Sequence, residues 1–503
     1  MDILLFDHQI DKKKKLFITV LLVAMVVLGW VMAKGNVAVA SITLLLPFIL
    51  FFMVVSFTKP VITLYMMIIL SFSLTALDRY VLKDSIPVGT LFDVMVVYVY
   101  ALLFLKGLVQ KTEWKKAGEG PIAVLSIWLL YCVLEIFNPE APGLNAWFVG
   151  VRPFLYMLFS IPLFCMLLTV KSIMTIMTIW GIFTMMMTIK GAIQLYVGLD
   201  SVEQSMMTGP FLNTHLLWGQ LRVFSLCSDA GQFGASQAHA GLVGAILFVG
   251  AKSAKQKLFF LLMCLFGIFG MFISGTRGAI FVIFAGAAVY LVLIKNTKLF
   301  ILGGVCAAMM VGLLVFTTVG ESNDHIRRMR TAFKPDKDLS YQVRVNKQMI
   351  LKNYLATRPF GGGLGSMADT GTGIKGTVLG DTWSDSGYVL IWGQTGVVGL
   401  CLYIGMFLYF LIKGAYFVWR KIKDEWLRCI LIASIAGIGG VALAHYGNPI
   451  MTQHPTCYVL FFSIAVIFIA PRLDKELSTE SINNNEPVVD NQNRELQPFR
   501  RNA

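Results

Sequence analysis

The 503-residue chain reads as an all-α polytopic membrane protein with about fourteen transmembrane helices (twelve to fourteen) and one long external loop. Three observations predict this. Hydrophobic residues make up 57% of the chain and charged residues 14%, with a mean hydropathy of +0.72. Soluble domains carry about 25% charged residues. The apolar residues also run in stretches close to the ~20 that a bilayer-spanning helix needs. A soluble enzyme, a disordered chain and a disulfide scaffold are excluded by that composition. The eight cysteines are scattered, mostly within apolar runs, and show no CxxC or Cys/His metal spacing. Buried free thiols follow, with no metal and no redox cofactor expected.

In chain order the spans fall near 16–33, 37–58, 60–77, 91–109, 121–137, 148–170, 173–198, 231–250, 258–274, 279–294, 299–319, 386–412, 429–446 and 457–470. The first follows Lys12 to Lys15. The small-residue triplet Ala38-Val39-Ala40 lies inside the next apolar run, beyond Lys34, so the first span reads as a retained signal anchor. The division is 1–319 for spans one to eleven, 320–385 for the long loop, 386–470 for the last three spans, and 471–503 for a disordered tail rich in Asn, Glu and Gln.

Basic residues sort the loops. If Lys12 to Lys15 are cytoplasmic, they, the alternate loops and the tail together hold 25 of the 42 Lys and Arg, including Lys106, Lys111, Lys115, Lys116 and the cluster 413–428. The opposite short loops hold Lys34, Arg79 and Lys83. That asymmetry predicts cytoplasmic N- and C-termini. The net charge of +14 is therefore largely a topology signal and does not point to nucleic acid.

The 320–385 loop carries ten Lys and Arg against six acids before Asp385. Its segment 341–355 places Tyr341, Val345, Met349 and Tyr354 near one face, and Arg344, Lys347, Gln348 and Lys352 near another. This predicts an amphipathic helix, either lying on the outer bilayer surface or packed as a solvated helix on the bundle. Pro359 to Gly365 then form a glycine-rich turn, either a structural corner or a phosphate cradle.

Ionisable residues at membrane depth are costly and are functional candidates by default. Asp93, Glu135, Arg152, Lys190, Arg222, Asp229, Arg277, Asp385 and His445 all fall toward the outer ends of their spans. Glu135 and Arg152 could simply pair with each other, and Asp385 could cap its helix. Arg277, in the short turn Ser274-Gly275-Thr276-Arg277-Gly278, has no acidic neighbour in sequence. Several arginines facing one external cavity suit an anionic ligand, because the guanidinium fork binds phosphate oxygens in pairs.

Four ordered segments resemble the O-antigen ligase/polymerase superfamily of bacterial membrane glycosyltransferases. They are Arg222 to Gly234 (RVFSLCSDAGQFG), Ile273 to Ala279 (ISGTRGA), Arg344 with Arg358 to Gly365 (RPFGGGLG), and Asp385 to Gly399 (DSGYVLIWGQTGVVG). Order and placement carry the resemblance over about 220–400. The resemblance implies a fold similar to GT-C-type membrane glycosyltransferases in the bacterial inner membrane, with the long loop periplasmic. It implies a metal-independent, inverting transfer of a glycan from undecaprenyl pyrophosphate to an acceptor hydroxyl of a glycan or lipid, without a cofactor. Carried over residue by residue, Arg222 and Arg277 hold the donor pyrophosphate, Arg344 positions the glycan and Asp385 is the candidate base. Arg152 and His445 are further candidate substrate contacts, and His445 and His454 are reserve bases. The family's ligases carry histidine where Asp385 stands, which tilts the reading from ligase toward polymerase in O-antigen or exopolysaccharide synthesis. A chain-length regulator is a further implied partner. The competing reading is a flippase for the same lipid-linked glycan; transporters usually show repeated halves and midplane sites, and no internal repeat is evident here.

Overall fold

The computed structural model describes residues 37–83, 88–217, 219–296 and 339–485, with isolated positions between 298 and 330. The predicted first and eleventh spans, the start of the long loop and residues 486–503 lie outside the described residues. In chain order the helices are α1 (Val37–Thr58), α2 (Val61–Leu77), α3 (Gly89–Val109), α4 (Ile122–Leu134), α5 (Leu144–Leu167), α6 (Val170–Tyr196), and the short α7 (Ser201–Met206) and α8 (Gly209–His215). There follow α9 (Ala230–Gly250), α10 (Ala254–Ile273), α11 (Ile280–Ile294), α12 (Leu339–Leu355), α13 (Gly387–Arg420), α14 (Glu425–Ala444) and α15 (Thr456–Asn485). Among the described residues ten helices are long and apolar enough to cross a membrane, by length and composition. Two shorter apolar helices, Leu46–Thr58 and Ile122–Phe137, fall at the second and fifth predicted spans.

The chain divides into two compact units. Of the described residues, the smaller contains 37–63 and 99–111, where the Lys106 ammonium donates to the Thr58 carbonyl (3.4 Å). The larger contains 64–98 and 112–485 and carries every candidate site residue. Its centre is α9, α14 and the first turns of α15, which are buried on most sides. α9 is dominated by Gly and Ala, and this lets backbones meet: a Cβ on Gly267 of α10 would lie 2.6 Å from the Gly241 amide nitrogen. Likewise a Cβ on Gly440 of α14 would lie 2.4 Å from the Val282 carbonyl of α11. In lipid, where apolar surface gives helices little reason to associate, such close packing supplies the dispersion contacts that hold them.

Two boundaries and one helix face differ from expectation. α13 runs to Arg420 instead of ending near 412, broken at Gly396 by a left-handed residue (φ 65°). α15 continues through Pro471 to Asn485, so residues 471–485 are helical and not a disordered tail. The extension is fixed by polar contacts that composition cannot reveal. Asp474 accepts from the amides of Lys423 (3.0 Å) and Asp424 (2.8 Å), and Arg472 pairs with Glu119 (3.0 Å) while donating to the Cys165 carbonyl (2.9 Å). α12 turns a different face inward than its periodicity suggests. Leu351 and Leu355 pack on Met367, Leu379 and Val389, with Arg344, Lys347 and Gln348 on the same side, while Val343, Met349 and Ile350 are exposed.

The glycine-rich turn wedges into the break of α13. The Gly362 amide donates to the Gly393 carbonyl (3.0 Å), the Gly365 amide to the Gln394 side chain (2.9 Å) and the Val398 amide to the Pro359 carbonyl (3.3 Å). A Cβ on Gly361 would lie 2.4 Å from the Gly396 nitrogen. The Gly361, Gly362 and Gly365 amides are taken by protein acceptors and closed to a phosphate, and the turn packs as a structural corner.

Candidate functional site

One end of the larger unit gathers the termini of α9, α10, α11, α12, α13 and α14. Arg222 follows a two-stranded ribbon (Leu216–Leu217 paired antiparallel with Gln220–Leu221). Its amide donates to the His215 carbonyl (2.7 Å) and its guanidinium to the Thr214 carbonyl (3.1 Å) and the Thr276 hydroxyl (3.4 Å). Thr276 in turn donates to the Ala230 carbonyl (2.8 Å), tying the α10–α11 turn to the first turn of α9. Arg277 opens the 3₁₀ turn Arg277–Ala279 that enters α11. Asp229 caps α9 by accepting from the Gln232 amide (2.9 Å) and also accepts from Asn448 (3.2 Å), beyond the end of α14.

Arg344 of α12 reaches Asp385 through Nε–Oδ2 at 3.1 Å. Asp385 does not cap α13. That role belongs to Ser386, whose hydroxyl accepts from the Val389 amide (3.4 Å), leaving the Asp385 carboxylate largely exposed toward Arg344. The Gln348 amide donates to the Tyr446 hydroxyl (3.2 Å), linking α12 to the end of α14.

These contacts tie Arg222 to the turn that carries Arg277 and, separately, Arg344 to Asp385; Arg277, Arg344 and Asp385 all lie near enough for their charges to act on Arg222. Burial pushes the Arg222 guanidinium pKa down; Arg277 and Arg344 push it the same way, while Asp229 and Asp385 oppose them. Arg222 Nε is buried and has no hydrogen-bond partner among the described residues. Three guanidinium groups and two carboxylates, Asp229 and Asp385, leave a positive excess around Arg222, the condition under which a multivalent anion is held.

Two predicted contacts stand elsewhere. Arg152 pairs with Asp93, through Nε–Oδ1 at 3.2 Å and through Nη2–Oδ2, and not with Glu135; the Tyr156 hydroxyl also donates to Asp93 (2.7 Å). Glu135 instead accepts from Asn138 (2.8 Å). Adjacency in sequence misled here, because the helix faces that meet are those of α3 and α5. His445 is buried beneath the first turn of α13, edge-on to Tyr388 (4.9 Å), its Nδ1 accepting from the Met451 amide (3.3 Å). Burial lowers its pKa to about 3, so the ring is neutral. His454 is partly buried, stacked on Phe92 (4.4 Å) and bonded to Ser71 (3.0 Å).

Sequence reading overlooked the brace behind Arg222. Arg79 is buried and donates to the Ser225 (2.6 Å) and Cys227 (2.7 Å) carbonyls, with Glu203 at 3.7 Å. Lys190 pairs with Asp200 (2.9 Å) and Glu203 (3.0 Å), and Gln194 donates to Glu203 (2.7 Å) and accepts from the Ser225 amide (2.8 Å). Lys190, flagged by its depth, is thus an ion-pair partner in a network that fixes the 200–227 segment. Asp369 was also overlooked. It accepts from the Ser384 amide (2.8 Å), one residue before Asp385, and burial, assisted by the charge of Asp385, raises its pKa to about 6. Spacing gave no signal for it. Thr276 was legible only as a neighbour of Arg277.

Residues 259–404 match the family model described as O-Antigen ligase. The match covers Arg277, Arg344 and Asp385 and bears out the superfamily resemblance; Arg222, Arg152 and His445 lie outside it. No curated protein matches the chain.

Proposed function

We propose, from the premise that this is a membrane protein of the O-antigen ligase/polymerase superfamily, that it transfers a glycan from undecaprenyl pyrophosphate to an acceptor hydroxyl at the periplasmic face of the inner membrane. The observation that carries the reading is the cluster of Arg222, Arg277 and Arg344 around Asp385 at one end of the bundle. The acceptor oxygen attacks the anomeric carbon, and the bond from that carbon to the pyrophosphate oxygen breaks with inversion. The electron pair leaves on the pyrophosphate, and the acceptor proton passes to Asp385, which later releases it to solvent. Arg222 and Arg277 neutralise the charge growing on the leaving group, and the unpartnered Arg222 Nε is a donor aimed at that need. Arg344 holds the Asp385 carboxylate in place and contacts the glycan. Arg152 and His445 act indirectly, by setting the α3–α5 contact and the start of α13.

Asp385, in place of the histidine of the family's ligases, favours a polymerase of O-antigen or exopolysaccharide, and a chain-length regulator would then act on the product. Arg277→Ala should cut polymer synthesis about a hundred- to thousandfold while membrane insertion is unchanged. Electrophoresis of surface polysaccharide from cells carrying the variant checks this; normal long-chain product would remove Arg277 from the mechanism. In a deletion strain, lipopolysaccharide capped with one repeat indicates a polymerase. Loss of all capping with accumulated lipid-linked polymer indicates a ligase.

A further inference from the structure

Exposure alternates along the segment immediately before α13. Thr382, Ser384 and Ser386 are buried, whereas Trp383 and Asp385 face outward. Trp383 and Asp385 line one and the same groove.

The buried residues pin this arrangement. Thr382 donates to the Val378 carbonyl (2.6 Å) and the Ser384 amide to Asp369 (2.8 Å). The Ser384 hydroxyl accepts from the Ser386 amide (3.1 Å) and donates to its carbonyl (3.2 Å). With both neighbours anchored, Trp383 is presented at 59% exposure on a fixed backbone. It borders a narrow groove whose other walls are Arg344, Lys347 and Gln348 of α12, with Asp385 beside it.

An exposed indole has an obvious alternative use as an anchor at the membrane interface. The surroundings favour another ligand. A flat apolar ring flanked by a carboxylate, an amide and two cations matches a sugar ring, which has an apolar C–H face and a rim of hydroxyls. Resting on the proposed transferase reading, we infer that Trp383 is the stacking platform of an acceptor-saccharide subsite. The terminal sugar lies on the indole, Lys347 and Gln348 take its rim hydroxyls, and the reacting hydroxyl is delivered to Asp385. The ligand class is a neutral or acidic oligosaccharide, bound independently of any lipid diphosphate.

The test uses the full chain, purified into nanodiscs, and oligosaccharide released by mild acid from the surface polysaccharide of the source cells. Trp383→Ala should weaken its binding about tenfold, and Trp383→Phe, which keeps an aromatic face, should stay within about threefold of wild type. Trp114→Ala, at an exposed tryptophan outside the groove, is the control. In transfer assays Trp383→Ala should raise KM for the acceptor with KM for the lipid-linked donor unchanged. Wild-type protein that binds the oligosaccharide through Trp383 yet transfers nothing would support the subsite and overturn the transferase reading. Equal binding by wild type and Trp383→Ala would overturn the subsite. So would a Trp383→Ala variant whose only defect is weaker association with lipid, the mark of a bilayer anchor.

Discussion

At the scale of single residues, the site depends on a few close approaches that tolerate no added atoms. Gly387 is one of them: a Cβ there would lie 2.0 Å from His445 Cε1, and its amide donates to the His445 carbonyl (2.9 Å). Gly387→Ala should therefore cost about 1–3 kcal/mol, because the imidazole has to move in a packed aromatic slot. Activity should fall with it, since Asp385 sits two residues upstream. Adding His445→Ala to Gly387→Ala should restore thermal stability relative to the single variant, measured by unfolding in detergent. A Gly387→Ala protein as stable as wild type would contradict this packing. If His445 were instead the base, the double variant would recover stability and no activity. Arg277 was legible from sequence because a charged residue in a short turn at a span end has few innocent explanations. Asp93 as the partner of Arg152 was not legible, since ion pairing follows which helix faces meet and not which residues are close along the chain.

Among elements, the segment between α12 and α13 shows how local pattern and packing diverge. The α12 helix was readable from its periodicity. Its inward face was not, because Leu351 and Leu355 outcompete Met349 once Met367 and Leu379 arrive from the following loop. Asp369 holds that loop to the segment before α13 and gives it a pH signature. Its pKa is raised from 3.8 to about 6, so the folded protein holds this proton more tightly than the unfolded chain. The stabilisation from this group is fully present below pH 3.8 and is lost as pH rises through about 6. Asp369→Asn keeps an acceptor for the Ser384 amide without the ionisation. It should unfold a few degrees above wild type at pH 7.5, and the gap should close as the pH falls below 3.8. Thermal scans across that range check the prediction; a gap that widens toward acid would reverse the sign assigned to the group.

For the whole molecule, the asymmetry of Lys and Arg makes a prediction that contacts alone do not. Thr377→Cys, in the exposed loop before α13, should react with a membrane-impermeant thiol reagent in spheroplasts. Lys423→Cys, in the turn between α13 and α14, should react only after permeabilisation. The reverse pattern would invert the topology. By itself the sequence determined that this is a multi-helix membrane protein, that candidate ionisable residues lie near one set of helix ends, and that residues 259–404 match the O-antigen ligase family. Those features are written in composition, run length and short ordered motifs, each of which is local in the chain. Only the tertiary structure decided that Asp385 is held by Arg344 and freed from capping by Ser386, and that the glycine turn is a wedge. It also decided that the arginines of three separate segments share one electrostatic field. The physical reason is that hydrophobicity assigns each segment to the bilayer one at a time, whereas the partner of a charge is chosen by which helix ends pack together.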